Sequence, residues 1–342
     1  ENNNDKRKAH VGYYLIKSGV KQTEKAAGIQ LSAVQHIRRA LDEHASILYI
    51  GTAVLLTTAL EVGLFLIAQP VGAPTSWHIG VAILSLLCAN HLALAITNWW
   101  ASLRVNPKPL PKLDYSSGIP NSARTIVVVP TILNSPSQVY QIVEDLEVRF
   151  LANRDPNILF ALLTDLRDAP FATMADDEVL TRLAQKSIED LNKKYGRLAN
   201  DTFFLFHRPR MWNALEKVWM GYERKRGKLS ELNQLLRGRE KDRFSLIIGD
   251  EHIYRSVKYV ITLDSDTQLP RDAAWKLVGL MAHPLNKAVY DEKKRRVTEG
   301  YGIIQPRIAI SLHGATRSSY SRLNEIDSGI DPYTRVTSDV YQ

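Results

Sequence analysis

Residues 125–164 read TIVVVPTILNSPSQVYQIVEDLEVRFLANRDPNILFALLT. The segment starts with the apolar run 125–129, which has the length and composition of a buried strand. Ser135 and Pro136 then supply an N-cap and a first-turn proline for a helix. A second apolar run follows at 158–164. The segment therefore predicts a strand, a helix and a second strand, which is the repeating unit of a parallel sheet.

The same alternation continues toward the C-terminus. Apolar runs at 203–206, 259–263 and 302–305 predict three more strands. Helical periodicity predicts helices at about 177–194 and 273–282. We therefore expect an α/β domain with a mostly parallel sheet sandwiched by helices. In such sheets, ligands bind beyond the carboxyl ends of the strands.

Two long apolar segments precede this domain. Residues 47–68 contain one formal charge, Glu61, and residues 79–100 contain none. Each segment is long enough to cross a hydrocarbon core of roughly 30 Å. Basic residues flank the pair on its outer sides, for example Arg38 and Arg104, so the positive-inside rule predicts a transmembrane hairpin with both ends in the cytoplasm. A soluble helical hairpin is the alternative.

The composition predicts four regions along the chain. Residues 1–44 are a polar N-terminal segment, in which 23–41 has the loose helical spacing of a helix lying on a membrane surface. The hairpin occupies 45–101, a proline-rich linker occupies 102–123, and the α/β domain occupies 124–342.

Three polar side chains lie inside the apolar segments. Glu61, Asn90 and His91 either line a conduit or pack against other helices. The sequence does not distinguish these two roles.

The composition excludes several classes of protein. With 342 residues, of which 45% are hydrophobic and 23% charged, the chain is too apolar to be intrinsically disordered. The single cysteine, Cys88, excludes a disulfide framework and a cysteine-rich zinc site. The net charge of +8 favours an anionic partner. Because the basic clusters are interleaved with acids, we do not expect that partner to be nucleic acid.

Acidic residues follow two of the predicted strands. Asp165 follows the strand at 158–164, and Asp264 and Asp266 follow the strand at 259–263. Carboxylates two residues apart can bind one hard cation, which would bridge them to a diphosphate. The alternative is that Asp264 or Asp266 only caps the turn into the next helix.

Two basic or titratable residues add to this pattern. Lys228 can reach a phosphate as a point charge, or it belongs to a solvated basic face together with residues 224–226. His207 directly follows the third predicted strand, where it is either a site residue or a structural one.

Taken in order, these features resemble the processive, membrane-embedded inverting glycosyltransferases with a GT-A fold. The likeness is closest to the glycosyltransferase domain of the bacterial cyclic β-1,2-glucan synthases, and it extends over residues 5–342. The segments that carry it are FALLTDLRDAP, FFLFHRPRMWN, YERKRGKLSELN, ITLDSDTQLPRDAAWKLVGLMAHPLN and GIIQPR.

The resemblance implies transfer of glucose from UDP-glucose to the 2-hydroxyl of a growing β-1,2-glucan, with Mg²⁺ or Mn²⁺ across the diphosphate. It places Asp165 near the uridine and places Lys228 and Asn233 close to the nucleotide. It also implies that Asp264 and Asp266 hold the donor and its metal. Five further residues of the same segments are candidates for the site: His207, Arg208, Trp212, Gln305 and Arg307.

The resemblance further implies that the general base lies beyond Gln342, with more membrane spans and domains in a longer polypeptide. This chain is then expected to carry the donor-binding half and to be inactive alone. Such enzymes elongate a glucan attached to the enzyme itself, and Tyr195 and Tyr254, in predicted loops, are candidates for the attachment point. The expected location is the bacterial inner membrane, with the catalytic domain in the cytoplasm. The alternatives are a synthase of another β-glucan, such as cellulose, and a non-catalytic membrane scaffold that binds a nucleotide sugar.

Overall fold

The computed structural model describes residues 7–16, 19–67, 74–104, 110–195, 201–239 and 241–306. The chain divides into two compact units. The first unit runs from Val11 to Leu110 and includes Gln305. The second runs from Pro111 to Ile304 and includes the N-terminal residues up to His10.

Three short helices open the first unit: α1 (Val11–Ile16), α2 (Val20–Ala26) and α3 (Ala33–Glu43). The prediction of a single amphipathic helix over 23–41 is therefore wrong, because the helical conformation is interrupted between α2 and α3. Gly28 has a φ of +64°, a conformation that stops a helix. Ser32 then starts α3 with a capping box, in which its hydroxyl accepts a hydrogen bond from the Gln35 N–H at 3.3 Å.

Two long apolar helices follow: α4 (Ala45–Ile67) and α5 (Thr75–Arg104). Both are long and apolar enough to cross a membrane. In their most apolar stretches, only 6% of the residues of α4 and 11% of those of α5 are buried. Their apolar side chains therefore face outward, which is not how the core helices of a soluble protein are placed.

The helices α4 and α5 pack side by side. Along α5, small side chains recur every fourth residue and are buried, which allows close approach of the backbones. These residues are Ala89, Ala93, Thr97 and Ala101. The Tyr49 hydroxyl donates to Asn98 Oδ1 at 2.6 Å and links the two helices near one end.

The polar residues predicted inside the apolar segments divide into two groups. Glu61 Oε1 accepts a hydrogen bond from the Ser85 hydroxyl at 3.0 Å, so Glu61 contacts α5. Asn90 and His91 are exposed on the outer surface of α5. The three side chains therefore do not form one polar cluster.

The second unit contains these strands: β1 (Thr125–Leu133), β2 (Ile158–Leu166), β3 (Phe203–His207), β4 (Met211–Asn213), β5 (Val218–Met220), β6 (Leu246–Ile248), β7 (Tyr259–Thr262), β8 (Val289–Asp291) and β9 (Arg296–Glu299). Five of them form the main sheet in the order β6-β3-β2-β1-β7. In this sheet β1, β2, β3 and β7 are parallel, and β6 runs antiparallel to β3. The strands β4 with β5 and β8 with β9 form two small antiparallel hairpins.

Its helices are α6 (Pro136–Ala152), α7 (Asp177–Tyr195), α8 (Arg224–Leu236), α9 (Glu251–Arg255) and α10 (Ala273–Ala282). Residues of α6, α7 and α10 join the core on one face of the sheet, and residues of α8 and α9 join the core on the other. Alternate residues of β1 supply both cores, with Val127 on one face and Val128 on the other. The predicted α/β class with a mostly parallel sheet between helices is confirmed.

One predicted strand is wrong. Residues 302–305 are irregular rather than extended in a sheet, and Ile303 is 89% exposed. The run is short, begins with Gly302 and is followed by Pro306. It pairs with no described strand, so its apolar residues gain little from strand formation. The fifth strand of the sheet is β6, whose three residues were too few to stand out in the sequence.

Part of the predicted linker packs against the α/β unit. Ile119 and Ala123 belong to its core, and Asn157 Nδ2 donates to the Ile119 carbonyl oxygen at 2.7 Å. The Leu113 N–H donates to the carbonyl oxygen of Gly279 in α10 at 3.1 Å. Residues 111–123 are therefore held by the α/β unit along much of their length.

Candidate functional site

A cleft of about 180 Å³ opens at the carboxyl ends of β1 and β2. The sheet topology explains its position, because parallel strands place their carboxyl ends at one edge and leave space between the loops that follow. Its lining comes from the ends of β1 and β2, from the loops that follow β2 and precede α8, and from α8 itself: Pro130, Thr131, Ile132, Asp165, Leu166, Asp168, Gly221, Arg224, Lys225 and Lys228. Of the predicted site residues, Asp165 and Lys228 line this cleft.

Asp165 is held at the cleft by two buried cations. The register of β2 and β3 pairs Thr164 with His207, so the next residues, Asp165 and Arg208, lie side by side. Arg208 donates from Nε to Asp165 Oδ1 at 2.8 Å and from Nη2 to Oδ2 at 2.9 Å. Lys228 Nζ lies 3.0 Å from the same Oδ2. This bidentate pair with a third contact is a strong arrangement, since all three side chains are almost fully buried.

A second carboxylate balances the charge of this cluster. Arg208 Nη1 donates to Glu231 Oε2 at 2.7 Å, so two cations face two carboxylates. Burial alone would lower the pKa of Arg208, but the hydrogen bonds and charge of Asp165 outweigh burial and raise it. Arg208 therefore stays charged, and its ion pairs fix α8 against β2 and β3.

Lys228 ties α8 to β1 as well. Its Nζ donates to the Thr131 carbonyl oxygen at 2.7 Å. Burial lowers the pKa of Lys228, and the neighbouring Asp165 opposes that shift. Lys228 thus contributes a positive charge at the wall of the cleft, and its ammonium group is already engaged by two oxygen atoms.

Arg224 and Lys225, for which a solvated basic face was the alternative, are half-exposed and also line the cleft. Arg224 Nη2 lies 2.7 Å from Asp168 Oδ2, and Lys225 Nζ forms an ion pair with Asp264 Oδ1. Positions 224 and 225 lie four and three residues before Lys228, so a helix puts all three on neighbouring positions of one face. Once the segment is known to be helical, the spacing of these three residues indicates that they share one face.

Asp264 and Asp266 follow β7 in an exposed loop. The alternative that they cap the next helix is wrong, because α10 begins after Asp272 and several residues separate it from the acid pair. The Asp264 side chain is 59% exposed. Both carboxylates are therefore accessible, and Asp264 contacts the first turn of α8 at the cleft through Lys225.

The acid pair fits one mode of metal binding. Among the described residues, no group of three or more His, Cys, Asp or Glu side chains could hold a metal ion, so a cage made of protein ligands alone does not fit. Mg²⁺ and similar ions are commonly held by one or two carboxylates together with substrate phosphates and water. Asp264 and Asp266 match that second mode.

His207 is a structural residue at the end of β3. It is 3% exposed, and its Nδ1 lies 2.8 Å from the Thr164 hydroxyl. Burial lowers the pKa of His207 to about 4, against the opposing charges of Asp165 and Asp177. The imidazole is therefore neutral at pH 7 and does not line the cleft.

This burial predicts a pH dependence of stability. The unfolded state binds a proton near pH 6.5, whereas the folded state does so only near pH 4. The His207 contribution is complete above pH 6.5 and is lost as the pH falls toward 4, by about 3 kcal/mol in total. The variant His207→Asn, whose amide can still meet the Thr164 hydroxyl, is expected to lose less stability between pH 7 and pH 4.5.

Denaturant unfolding at both pH values measures this difference. The control is His252→Asn, because His252 is exposed on α9 and its substitution leaves the wild-type pH dependence in place. An equal loss of stability in wild type and His207→Asn would contradict the assignment.

Two of the other predicted site residues, Asn233 and Trp212, lie outside the lining of the cleft. Asn233 lies on the exposed face of α8, and Trp212 is 49% exposed on β4, with its ring centroid 5.8 Å from that of Trp219. Gln305 is exposed and belongs to the unit that contains the apolar helices. Arg307 lies outside the described residues.

The two tyrosines expected in loops are placed differently. Tyr195 is the last residue of α7, and its hydroxyl donates to Glu147. Tyr254 lies in α9 and is fully buried among Phe204 and Phe206. Both loop predictions are wrong, and the burial of Tyr254 prevents a sugar chain from being attached to it in this conformation.

The fold and the cleft define a class of protein: an α/β domain with a mixed-charge cleft beyond the carboxyl ends of its parallel strands, joined in one chain to two apolar helices. The sequence is 38% identical over 334 residues to cyclic beta-(1,2)-glucan synthase NdvB of Rhizobium meliloti (strain 1021). The match covers 97% of this chain and 12% of the relative. The chain is therefore related over nearly its whole length to one segment of a cyclic β-(1,2)-glucan synthase. No protein-family model matches it.

Proposed function

We propose that this chain carries the donor-binding part of a membrane-bound, inverting glycosyltransferase. The reaction is transfer of glucose from UDP-glucose to a growing β-1,2-glucan, assisted by Mg²⁺ or Mn²⁺. The observation that carries the proposal is the cleft at the ends of β1 and β2, found in a chain related over 97% of its length to a cyclic β-(1,2)-glucan synthase. The cleft combines an anchored carboxylate with three cations, as a nucleoside diphosphate requires.

Asp165 supplies the contact to the base in this proposal. Its Oδ2 accepts from Arg208 and Lys228, whereas its Oδ1 accepts from Arg208 alone among the described residues. A carboxylate oxygen has two lone pairs, so Oδ1 can accept one more hydrogen bond. Uracil offers an imide N–H for that bond, whereas the corresponding nitrogen of cytosine is an acceptor. Asp165 would therefore favour UDP over CDP.

The diphosphate lies toward the first turn of α8 in this proposal. Arg224 and Lys225 line the cleft there, and their charges offset the negative charge that develops on the leaving UDP. Asp264 and Asp266 would hold the metal ion, which, when bound, supplies a positive charge between the two phosphates. Lys225, now paired with Asp264, is within reach of both the acid pair and the cleft.

The apolar helices α4 and α5 provide the membrane anchor in this proposal. Their exposed apolar surfaces and the basic residues outside them favour a bacterial inner membrane with the α/β unit in the cytoplasm. The acceptor glucan, attached to the enzyme in the proposed mechanism, and further domains of a longer polypeptide would complete the reaction.

Calorimetric titration of the detergent-solubilised chain with UDP-glucose tests the proposal. We expect a dissociation constant between about 1 μM and 1 mM in the presence of Mn²⁺, the range typical of enzyme substrates. Binding should weaken at least tenfold without the metal, since two phosphates then face the acid pair uncompensated. CDP-glucose is the matched control ligand and should bind at least tenfold more weakly than UDP-glucose. Absence of UDP-glucose binding, or equal binding of both nucleotides, would contradict the proposed donor site.

A further inference from the structure

Arg149 is a buried cation whose described hydrogen bonds go only to backbone carbonyl oxygens. It lies in the last turns of α6 and is 3% exposed. Its Nη2 donates to the carbonyl oxygens of Ser265 and Thr267, at 2.8 Å each, and its Nε donates to Thr267 at 3.1 Å. It forms no ion pair with any residue that the structure describes. Burying a guanidinium without a carboxylate partner is costly, so its position needs an explanation.

The carbonyl oxygens that Arg149 binds belong to the loop that carries Asp264 and Asp266. Ser265 lies between the two acids, and Thr267 follows the second. Because a trans peptide is planar, a carbonyl that points to Arg149 directs the next N–H to the opposite side. The N–H groups of Asp266 and Gln268 therefore point away from α6.

A second residue of the same helix end extends this attachment. Asn153 Nδ2 donates to the carbonyl oxygens of Leu269 and Pro270, at 3.3 and 3.2 Å. Asn153 Oδ1 accepts from the Ala274 N–H at 3.0 Å, at the start of α10. The loop backbone is thus attached to α6 from Ser265 onward, while the two acidic side chains remain exposed.

We propose that Arg149 is a positioning residue for the acid pair. By binding the carbonyl oxygens on both sides of Asp266, it orders the loop before any ligand arrives and directs both carboxylates toward one divalent cation. The inference rests on the proposed function of Asp264 and Asp266. It adds a residue that touches neither the metal nor the donor.

Removing Arg149 has two effects on the affinity for a cation, and they act in opposite directions. The inference is therefore testable. Loss of a positive charge near Asp266 would strengthen the binding of a cation. Loss of the attachment would weaken it, because the loop must then be ordered on binding. Residues that orient metal ligands typically account for about 10- to 100-fold in metal affinity. Positioning therefore predicts weaker binding, and a purely electrostatic role predicts tighter binding.

The experiment measures binding of Mn²⁺ alone to the detergent-solubilised chain, by the electron paramagnetic resonance signal of the free ion. Arg149→Met should weaken binding by about tenfold or more. Arg149→Lys, which keeps a cation able to donate to both carbonyl oxygens, should restore part of the affinity. The control is Arg182→Met, since Arg182 is exposed on α7 and pairs with Glu178, and it should bind as wild type does. Wild-type or tighter binding by Arg149→Met would overturn the inference.

Two further measurements complete the test. Hydrogen exchange of the Thr267 N–H, which donates to the Asp264 carbonyl oxygen at 3.0 Å, should already be slow in the wild-type chain before Mn²⁺ is added, whatever the stability of the variants. Exchange that becomes slow only after Mn²⁺ is added would overturn the inference. Asp264→Asn and Asp266→Asn should each lose Mn²⁺ binding. If both variants bind Mn²⁺ normally, the proposed metal site is contradicted as well. If only the Arg149 variants give an unexpected result, the role of Arg149 is contradicted and the metal site is not.

Discussion

Replacement of Asp165 by asparagine is expected to lower the free energy of unfolding by about 3–5 kcal/mol, the usual cost of removing one partner of a buried ion pair. The substitution keeps the shape of the side chain and removes its charge. Among the described residues, Arg208 then keeps Glu231 as its one ion-pair partner, and Lys228 keeps none. The asparagine amide also brings N–H donors toward cations that need acceptors.

Thermal unfolding followed by near-ultraviolet circular dichroism measures this loss in the α/β unit. The matched control is Asp168→Asn, three residues further along the chain in the loop after β2, because Asp168 pairs with Arg224 at a solvent-accessible position. That pair should contribute no more than about 1 kcal/mol. Equal stability of the Asp165 and Asp168 variants would contradict the buried cluster.

The second large effect concerns catalysis rather than stability. Asp264→Asn and Asp266→Asn are each expected to lower metal-dependent glucan synthesis by about a thousandfold, since a metal ion contributes several kcal/mol to stabilising transition-state charge. Because both side chains are exposed, the unfolding temperatures of the two variants should match that of the wild type. Incorporation of radiolabelled glucose from UDP-glucose, in membranes that contain the longer polypeptide proposed above, measures the loss.

Asp272→Asn is the control for this pair. Asp272 lies in the same loop and is exposed, with a φ of +61°, which asparagine tolerates as well as aspartate does. Its substitution should leave glucan synthesis near the wild-type level. Normal synthesis by both the Asp264 and the Asp266 variants would remove the acid pair from the mechanism.

The local pattern of residues predicted most of the α/β unit. The helix at Pro136–Ala152 begins at the predicted N-cap, where the Ser135 hydroxyl accepts from the Gln138 N–H at 3.3 Å, and α10 has the predicted bounds. These features depend on neighbours within a few residues, which a sequence displays directly. The strand predicted at 302–305 failed because an apolar run becomes a strand only where another strand is available to pair with it.

The sequence predicted the position of the cleft but only some of the residues that line it. The rule for parallel sheets points to this edge of the sheet, and Asp165, near the end of β2, lines the cleft. A solvated face stayed open as the alternative for Arg224 and Lys225 because the segment had not been recognised as the helix α8. Once the helix is known, their spacing from Lys228 places all three on the cleft side.

The sequence by itself determined the four parallel strands of the main sheet, three of the helices that cover it, the apolar helix pair and the acids near two strand ends. Each of these follows from short-range periodicity and hydrophobicity. Tertiary structure alone decided which charges meet. Asp165 and Arg208 are 43 residues apart and become neighbours through the parallel register of β2 and β3. Arg149 binds a carbonyl oxygen 116 residues away, since α6 packs beside the end of β7. Contacts of this kind depend on how elements pack across the sheet, and no local pattern in the chain records that packing.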